Sequence, residues 1–215
     1  KNSTKEDLHN IWYEYFDLNL DYEKIKHDLS NLHPILKEAI KYSKDIHILK
    51  QEPWEALCSF IISQNNNIPR IKGIIERLCQ NFGEEISDGI FSFPSYSVLC
   101  NLSEEDLAPL RCGFRSAYIL DAARKVESNE INFDNLKNMP IEKARGELLK
   151  IKGVGPKVAE CTLLYGLHKL DAFPIDVWMK RAMETFFENK SPEFFGEYAG
   201  IAQQYIFHYI RTKNK

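Results

Sequence analysis

Residues 148–159 read Leu-Leu-Lys-Ile-Lys-Gly-Val-Gly-Pro-Lys-Val-Ala, a pattern that indicates two helices joined by a tight turn, called the hairpin below. Pro156 favours the start of the second helix, because its missing N–H would be unpaired there in any case. Gly153 and Gly155 permit positive φ and close approach of another molecule to the backbone. Free N–H groups at the start of a helix bind anions such as phosphate. The stretch therefore predicts a site that contacts a nucleic-acid backbone without reading its sequence.

The composition limits the kind of protein this is. The chain has 215 residues, 44% of them hydrophobic and 27% charged, as in ordinary globular proteins. Its net charge of -3 argues against a protein that simply coats nucleic acid. The distribution of charge matters more than the sum, and the segment from Lys143 to Lys157 carries five basic residues with Glu147 as its one acidic residue. We therefore expect the hairpin to be the part that grips DNA.

The cysteines and the apolar runs indicate the cellular setting. Five cysteines without a Cys-x-x-Cys pair argue against a disulfide framework and against a zinc site. No apolar run approaches the roughly 18 residues of a transmembrane helix, and no signal peptide opens the chain. We expect an intracellular protein of the cytoplasm or nucleoid, or of the nucleus in a eukaryote. Because the chain starts at Lys1 rather than Met, we also expect a fragment of a longer protein.

Apolar residues recur at helical spacing along most of the chain. One helix is predicted to begin at Pro53, one to follow a cap at Ser103 and one to follow a cap at Asp176. The others are predicted at Ile68–Phe82, Arg115–Val126, Pro140 to about Lys150, Pro156–Gly166 and Gly200–Arg211. We find no alternating run bounded by an Asn-Gly or Asp-Gly turn that would predict a strand. The predicted fold is all-α, with one lobe at residues 51–168 and a second lobe formed by residues 1–50 and 169–215. An active-site cleft is expected between the lobes.

The hairpin resembles the helix-hairpin-helix of the DNA glycosylase superfamily. A bare Gly-x-Gly would indicate only an interhelical turn, but here Pro156 and Lys157 follow it, and Ala172-Phe173-Pro174-Ile175-Asp176-Val177 resembles the Gly/Pro-rich stretch and Asp of the superfamily. The resemblance implies that Lys157 attacks C1′ of a damaged nucleotide, displaces the base and forms a Schiff base. It implies that Asp176 steadies positive charge on the sugar while capping its own helix. The helix dipole and neighbouring cations disfavour an ammonium at Lys157, and any partial burial would also favour the neutral, nucleophilic amine.

A second motif indicates the lesion. Residues 60–71 read Phe-Ile-Ile-Ser-Gln-Asn-Asn-Asn-Ile-Pro-Arg-Ile and resemble the Asn-Asn-Asn-Ile-x-Arg segment of eukaryotic-type 8-oxoguanine DNA glycosylases, although three asparagines in a row are also typical of an interhelical turn. The resemblance implies that Asn65, Arg70 and Arg115 contact the cytosine left opposite the flipped base, for which amide and guanidinium donors are suited. Phe114 stands where the family commonly has a Tyr wedge. The implied activity is that of a bifunctional DNA glycosylase/AP lyase that removes 8-oxoguanine in base excision repair.

The last predicted helix supplies part of the implied base pocket. Gln203 and Phe207 are four residues apart and so share a helix face. By resemblance, Gln203 bonds the Watson–Crick edge of the flipped purine and Phe207 stacks on one of its faces. Cys161 would cover the other face, and Tyr165 occupies a pocket position often taken by Met. Without the resemblance, Phe207 and Cys161 would be assigned to the core.

The resemblance extends from about Ile46 to Phe207 and also implies partners and ligands. The expected partner is double-stranded DNA with a flipped-out damaged base, bound by a monomer that has no membrane association. Contacts to the DNA backbone are expected at Gly153, Val154, Gly155, Val158 and Trp178. No organic cofactor is required, and no iron–sulfur cluster is expected because no cysteine follows Cys161. A structural monovalent or divalent cation is predicted at the backbone carbonyls of Leu149, Ile151 and Val154.

Some features depart from the family pattern. Trp178 replaces a usual His, and the β-rich N-terminal domain of the best-known members, which helps to distinguish 8-oxoguanine from guanine, is expected to have no counterpart in this chain. Because of Trp178 and Phe114, we expect weaker selectivity for the opposite base, which excision rates opposite each of the four bases would test. Two alternatives stay open at this point. One is a glycosylase for another oxidised base, such as a pyrimidine, and the other is a non-catalytic hairpin module that only binds DNA.

Overall fold

The computed structural model describes residues 4–213, and nearly all of its regular structure is helical. The all-α prediction is therefore confirmed. The chain divides into a terminal unit, Lys1–Gln51 with Leu163–Lys215, and a central unit, Glu52–Thr162. The lobes predicted from the sequence differ from this division mainly at the C-terminal end of the central unit, which was predicted at residue 168 and lies at Thr162. No helix within residues 4–213 combines the length and the apolar character that a membrane span requires.

The central unit is built mainly from helices, and several of them start at a side-chain cap or at a proline. Its elements are α5 (Pro53–Ser63), α6 (Ile68–Phe82), β1 (Glu85–Ser87), β2 (Ile90–Phe91), α7 (Tyr96–Leu99), a 3-10 turn (Ala108–Leu110), α8 (Arg115–Glu127), α9 (Phe133–Asn138), α10 (Ile141–Leu148) and α11 (Pro156–Cys161). Proline occupies the first turn of α5, α6 and α11, where its missing N–H costs nothing. Helix α5 packs against α6, α8 and α11 and so forms the centre of this unit.

A small β-hairpin in the central unit was not expected from the sequence. Strands β1 and β2 pair antiparallel around Asp88-Gly89, and Gly89 has a φ of 69°. Asp-Gly is a favourable sequence for such a turn, so the prediction that no such signal exists is wrong at this point. Strands of three and two residues are too short for an alternating pattern to reveal them.

The predicted helix after Ser103 is also only partly formed. Ser103 and Asp106 exchange the bonds of a helix cap, with the Ser103 N–H donating to Asp106 Oδ2 at 2.8 Å and the Asp106 N–H donating to Ser103 Oγ at 3.3 Å. Only the 3-10 turn Ala108–Leu110 follows, and Arg111 ends it in the left-handed region. Pro109 cannot donate the hydrogen bond that a longer helix would need.

The terminal unit places the last helix among segments from both ends of the chain. Its elements are α1 (Lys5–Asp7), a π-helical turn (Leu8–Trp12), α2 (Tyr13–Tyr15), α3 (Tyr22–Leu32), α4 (Pro34–Tyr42), α12 (Val177–Phe186), a 3-10 segment (Pro192–Tyr198) and α13 (Ala199–Lys213). A second π-helical turn, Thr162–Gly166, begins where α11 ends. Helix α13 packs against α4, α12 and the 3-10 segment. A Cβ at Gly200 would lie 2.4 Å from Leu164 Cδ1, so this helix approaches its neighbours closely there.

A buried carboxylate joins three segments of the terminal unit. Asp17 is 2% exposed and accepts a hydrogen bond from Tyr22 Oη at 2.9 Å. It also lies 3.2 Å from Lys50 Nζ and 3.0 Å from His168 Nε2. Burial by itself raises the pKa of Asp17, but the nearby His168 and Lys50 and the hydrogen bond from Tyr22 outweigh burial and hold the pKa below its ordinary value.

We expect this carboxylate to make the protein less stable in acid. A group whose pKa is lower in the folded state stabilises the fold above its unfolded pKa, and this contribution is lost as the pH falls through the folded pKa. The free energy of unfolding, measured by urea titration, should therefore fall between about pH 5 and about pH 2. Asp17→Asn should reduce this pH dependence, whereas Asp28→Asn, which alters an exposed side chain of α3, should leave it unchanged. An unaltered pH dependence in Asp17→Asn would contradict this account.

Candidate active site

The hairpin has the geometry of a backbone anion site. Helix α10 ends at Leu148, and Gly155 precedes α11 without any side-chain cap. The first N–H groups of a helix have no partner within the helix, so those of Lys157 and Val158 are left for another molecule. A Cβ at Gly155 would meet nothing within 4 Å, so the backbone is open on that side. The predicted contacts at Gly153, Val154, Gly155 and Val158 thus lie on one turn, while the side chains of Val154 and Val158 are buried.

Two side chains of helix α8, Tyr118 and Asp121, contact this turn and support it. Gly153 has a φ of 76°, and a Cβ there would lie 2.2 Å from Tyr118 Cδ2. Asp121, one turn further along α8, accepts a hydrogen bond from the Lys152 N–H through Oδ2 at 2.7 Å. The sequence argument missed both supporting residues, because nothing local marks a contact between segments this far apart in the chain.

An ion pair joins the two helices of the hairpin. Arg145 of α10 donates hydrogen bonds through Nε to Glu160 of α11 and through Nη1 to Glu142. Burial lowers the pKa of Arg145, but the bonds and charges of Glu160 and Glu142 more than offset burial and raise it above its ordinary value. This bridge fixes α11, and hence Lys157, relative to α10.

Lys157 is the second residue of α11, and its side chain is exposed. The open turn at Gly155 leaves the start of the helix uncovered, so burial does not contribute to favouring the neutral amine here. Within the central unit, its ammonium group forms no ion pair. Cys161, one turn later, is 4% exposed.

Asn65, Asn66 and Asn67 have three different structural roles between α5 and α6. Asn65 lies in the left-handed region with a φ of 46°, which Asn tolerates better than most residues. Asn66 Nδ2 donates to the Ile62 carbonyl at 3.0 Å, at the end of α5. Asn67 caps α6, since its Oδ1 accepts from the Arg70 N–H at 3.0 Å. The run is therefore the junction between α5 and α6, and the side chains of Asn65 and Arg70 are exposed there.

Arg115 supports this junction and is buried. Its guanidinium donates to the carbonyls of Gln64, Asn65 and Cys112, at 3.1 Å from Nε to Gln64, 3.1 Å from Nη2 to Asn65 and 3.0 Å from Nη1 to Cys112. Burial and the charge of Arg70 lower its pKa. It is 2% exposed, so contact with a base would require it to give up some of these bonds. Phe114, the predicted wedge, is 52% exposed, and its ring lies 4.4 Å from the Arg115 guanidinium carbon.

Replacement of Arg115 by Leu is expected to lower the free energy of unfolding by about 3 kcal/mol, because buried carbonyls would lose their donors. Arg70→Leu should change it by less than about 0.5 kcal/mol, since the exposed Arg70 side chain makes one long bond among residues 4–213, 3.4 Å to the Arg111 carbonyl. Urea unfolding of both variants would measure the difference. Equal stabilities for the two variants would show that Arg115 is not needed to hold the junction.

In the terminal unit, Asp176 caps α12. Its Oδ1 accepts from the Met179 N–H at 2.8 Å, and the side chain is half-buried. Only one carboxylate oxygen is needed for the cap, so Oδ2 is left for another partner. Trp178, two residues later, is half-buried under the Arg181 guanidinium, which lies 5.5 Å from the indole. The cap predicted at Asp176 is present.

Gln203 is tied to the loop that leads to Asp176. It is 4% exposed, its Nε2 donates to the Pro174 carbonyl at 3.0 Å, and its Oε1 accepts from Gln204. Phe207, one turn along α13, is half-buried with the Arg211 guanidinium 5.7 Å from its ring. Tyr165 is half-buried, and its carbonyl accepts from the Gln51 N–H at 3.0 Å. The two bonds of Gln203 use one of the two Nε2 hydrogens and one of the two Oε1 lone pairs, so a purine could bond Gln203 through the others.

The predicted cation ligands are chemically suitable. Carbonyl oxygens are hard donors of the kind that alkali and alkaline-earth cations prefer. The Ile151 carbonyl also accepts from the Val154 N–H at 3.0 Å, which leaves it one lone pair. The cation stays a prediction.

Comparisons with known proteins identify the family of the chain. Residues 58–193 match the family model described as HhH-GPD superfamily base excision DNA repair protein. Residues 1–57 match the model described as 8-oxoguanine DNA glycosylase, N-terminal domain. Residues 1–57 thus match the model of a domain that was expected to have no counterpart here, although the β-rich part of that expectation is not contradicted, since residues 4–57 contain helices and no strand.

Individual relatives show the same likeness. The N-glycosylase/DNA lyase of Saccharomyces cerevisiae is 40% identical over 185 residues, 78% of this chain and 48% of the yeast protein. A solved structure of MBOgg1 with a low-affinity DNA ligand is 45% identical with a TM-score of 0.91, covering 100% of this chain and 78% of that one. The Clostridium acetobutylicum 8-oxoguanine glycosylase/lyase, bound to double-stranded DNA with cytosine opposite 8-oxoG, is 36% identical with a TM-score of 0.90 over the same shares.

The chain thus spans about half of its yeast relative. The matched family model covers more than half of this chain and includes the hairpin, Lys157 and Asp176. The chain belongs to the HhH-GPD superfamily of base excision DNA repair proteins.

Proposed function

We propose that the chain is a bifunctional DNA glycosylase/AP lyase that removes 8-oxoguanine from double-stranded DNA. The observation that carries the proposal is the position of Lys157, an exposed amine at the start of α11 beside the open Gly155 backbone. A hairpin that only held phosphate would not need a nucleophile there. The relatives named N-glycosylase/DNA lyase and 8-oxoguanine glycosylase/lyase support the same activity.

In the proposed reaction, the neutral amine of Lys157 attacks C1′ of the damaged nucleotide. A bond forms between Nζ and C1′, the glycosidic bond breaks, and the base leaves with its bonding electrons and takes up a proton. Opening of the sugar ring gives a Schiff base, and loss of a proton from C2′ then expels the 3′ phosphate by β-elimination. The carboxylate of Asp176 stabilises the positive charge that develops on the sugar and accepts a proton from the lysine.

The remaining predicted residues bind DNA in this proposal. The N–H groups of the hairpin hold a phosphate, and the predicted cation, bound by carbonyls of residues 149–154, would add positive charge there. Trp178 contacts the backbone near Asp176. Asn65 and Arg70 bond the orphaned cytosine, joined by Arg115 once it gives up a carbonyl, while the exposed Phe114 ring fills the gap in the base stack. Gln203 bonds the edge of the purine and Phe207 stacks on it, with Cys161 and Tyr165 as further pocket residues.

The proposal also covers partners and location. We propose that the chain acts as a monomer on double-stranded DNA and therefore works where the genome is kept, inside the cell. No organic cofactor enters the proposed chemistry.

A lesion-panel assay would test the proposal. End-labelled duplexes would carry 8-oxoguanine, an oxidised pyrimidine or undamaged guanine, each opposite cytosine or its normal partner. We expect base release and strand cleavage at 8-oxoguanine and neither at undamaged guanine. Preference for the pyrimidine lesion would instead support a glycosylase for another oxidised base. Equal binding to all duplexes without cleavage would support a non-catalytic DNA-binding module.

A further inference from the structure

The wedge residue and the hairpin turn contact the same side chain of α8. The Tyr118 ring packs edge-on against Phe114, with 5.5 Å between ring centroids. The same ring lies directly under Gly153, where a Cβ would come within 2.4 Å of Cγ and Cε2. Phe114 immediately precedes α8, and Tyr118 follows it by four residues. The Tyr118 side chain therefore contacts both segments that are proposed to touch DNA, the wedge and the hairpin turn.

Asp121 supports the same turn by a different kind of contact. Its carboxylate holds the Lys152 N–H at 2.7 Å, the residue just before Gly153. Glycine at positive φ has little intrinsic preference for one conformation. Without the Tyr118 ring and the Asp121 carboxylate, the turn is free to adopt other conformations, in which its N–H groups point in other directions.

We propose that Tyr118 and Asp121 are positioning residues for DNA binding: they fix the hairpin turn so that its N–H groups meet a phosphate, and Tyr118 fixes the wedge relative to that turn. Neither residue touches the reacting atoms. The proposal rests on the proposed function, since it requires that the hairpin bind DNA. It extends that function by making α8 the element that sets the distance between the phosphate contact and the wedge.

The salt dependence of DNA binding separates positioning from a simple role in stability. For a protein on duplex DNA, the logarithm of the binding constant falls linearly with the logarithm of salt concentration, by about 0.9 for each phosphate neutralised. Fluorescence anisotropy with one labelled 8-oxoguanine duplex would give this slope for the unaltered chain and for Tyr118→Phe, Tyr118→Leu and Asp121→Ala. A variant that is folded but merely less stable keeps the slope of the unaltered chain.

We expect Tyr118→Leu and Asp121→Ala to bind about tenfold more weakly and, because the displaced turn carries the exposed Lys152 with it, to lose about 1 from the slope. Tyr118→Phe should match the unaltered chain, because it keeps the ring that supports Gly153. Unchanged slope and affinity in folded Tyr118→Leu and Asp121→Ala would overturn the proposal. If Tyr118→Leu does not fold, Asp121→Ala decides the matter alone: loss of a negative charge would by itself strengthen binding to DNA, so weaker binding would report the lost hydrogen bond to the Lys152 N–H. Failure of the unaltered chain to bind DNA would contradict the proposed function itself and overturn this inference with it.

Discussion

Lys157→Gln is expected to abolish both base release and strand cleavage at 8-oxoguanine. The amide of Gln has no nucleophilic lone pair, so neither the bond to C1′ nor the Schiff base can form. We expect the single-turnover rate to fall by at least about 10³-fold, equivalent to about 4 kcal/mol of transition-state stabilisation. Binding to the duplex should persist, since the N–H groups of α11 are unaffected by the side chain. Single-turnover cleavage of a labelled duplex would measure the loss.

Lys37→Gln is a matched control for this experiment. Lys37 is also an exposed helical lysine, in α4 of the terminal unit, and its replacement removes the same charge. We expect it to leave the rate unchanged. Release of 8-oxoguanine by Lys157→Gln at the rate of the unaltered chain, without strand cleavage, would mean that water displaces the base and that Lys157 is not the nucleophile.

Asp176→Asn is expected to separate the two roles of this residue. Asn is as good a helix cap as Asp, so its side-chain oxygen can still accept from the Met179 N–H, and the free energy of unfolding should change by less than about 0.5 kcal/mol. The negative charge is lost, however. We expect the rate of base excision to fall by about 10²–10³-fold, as for removal of other electrostatic groups from active sites. Urea unfolding and single-turnover excision would be measured on the same samples.

The helix cap of α3 provides the control for Asp176. Asp21 Oδ1 accepts from the Lys24 N–H at 3.0 Å, which reproduces the cap geometry elsewhere in the same unit. Asp21→Asn should therefore alter neither stability nor excision. Asp176→Ala should lose a further ~1 kcal/mol of stability with the cap. Full excision activity in Asp176→Asn would reduce Asp176 to a structural cap.

Local signals in the sequence predicted much of the fold and part of the site. Proline at the first turn located the starts of α5 and α11, and the Asp176 cap located that of α12, because these residues act through their own neighbouring N–H groups. Apolar spacing located α6. The second helix of the hairpin was predicted through Gly166, yet it is α-helical only to Cys161 and continues as a π-helical turn. Apolar spacing does not distinguish these two forms well.

The contacts that set the site depend on distant residues. Arg115 bonds carbonyls about 50 positions earlier in the chain, and its sequence neighbours give no sign of this. The sequence therefore suggested a base-reading arginine but gave no indication that Arg115 also supports the junction between α5 and α6. Tyr118 beneath Gly153 and Glu160 beside Arg145 escaped prediction for the same reason. Residue types and their spacing indicated the chemistry. Packing between helices of the central unit determines which of these side chains are exposed and able to perform it.

The most direct test of the account is to identify the covalent bond itself. The chain would be incubated with a duplex carrying 8-oxoguanine opposite cytosine in the presence of borohydride, which reduces a Schiff base to a stable amine, and the adduct would be digested and mapped by mass spectrometry. The account predicts one adduct on the peptide that contains Lys157, absent from Lys157→Gln. An adduct on another amine, or base release by the unaltered chain with no adduct, would contradict it.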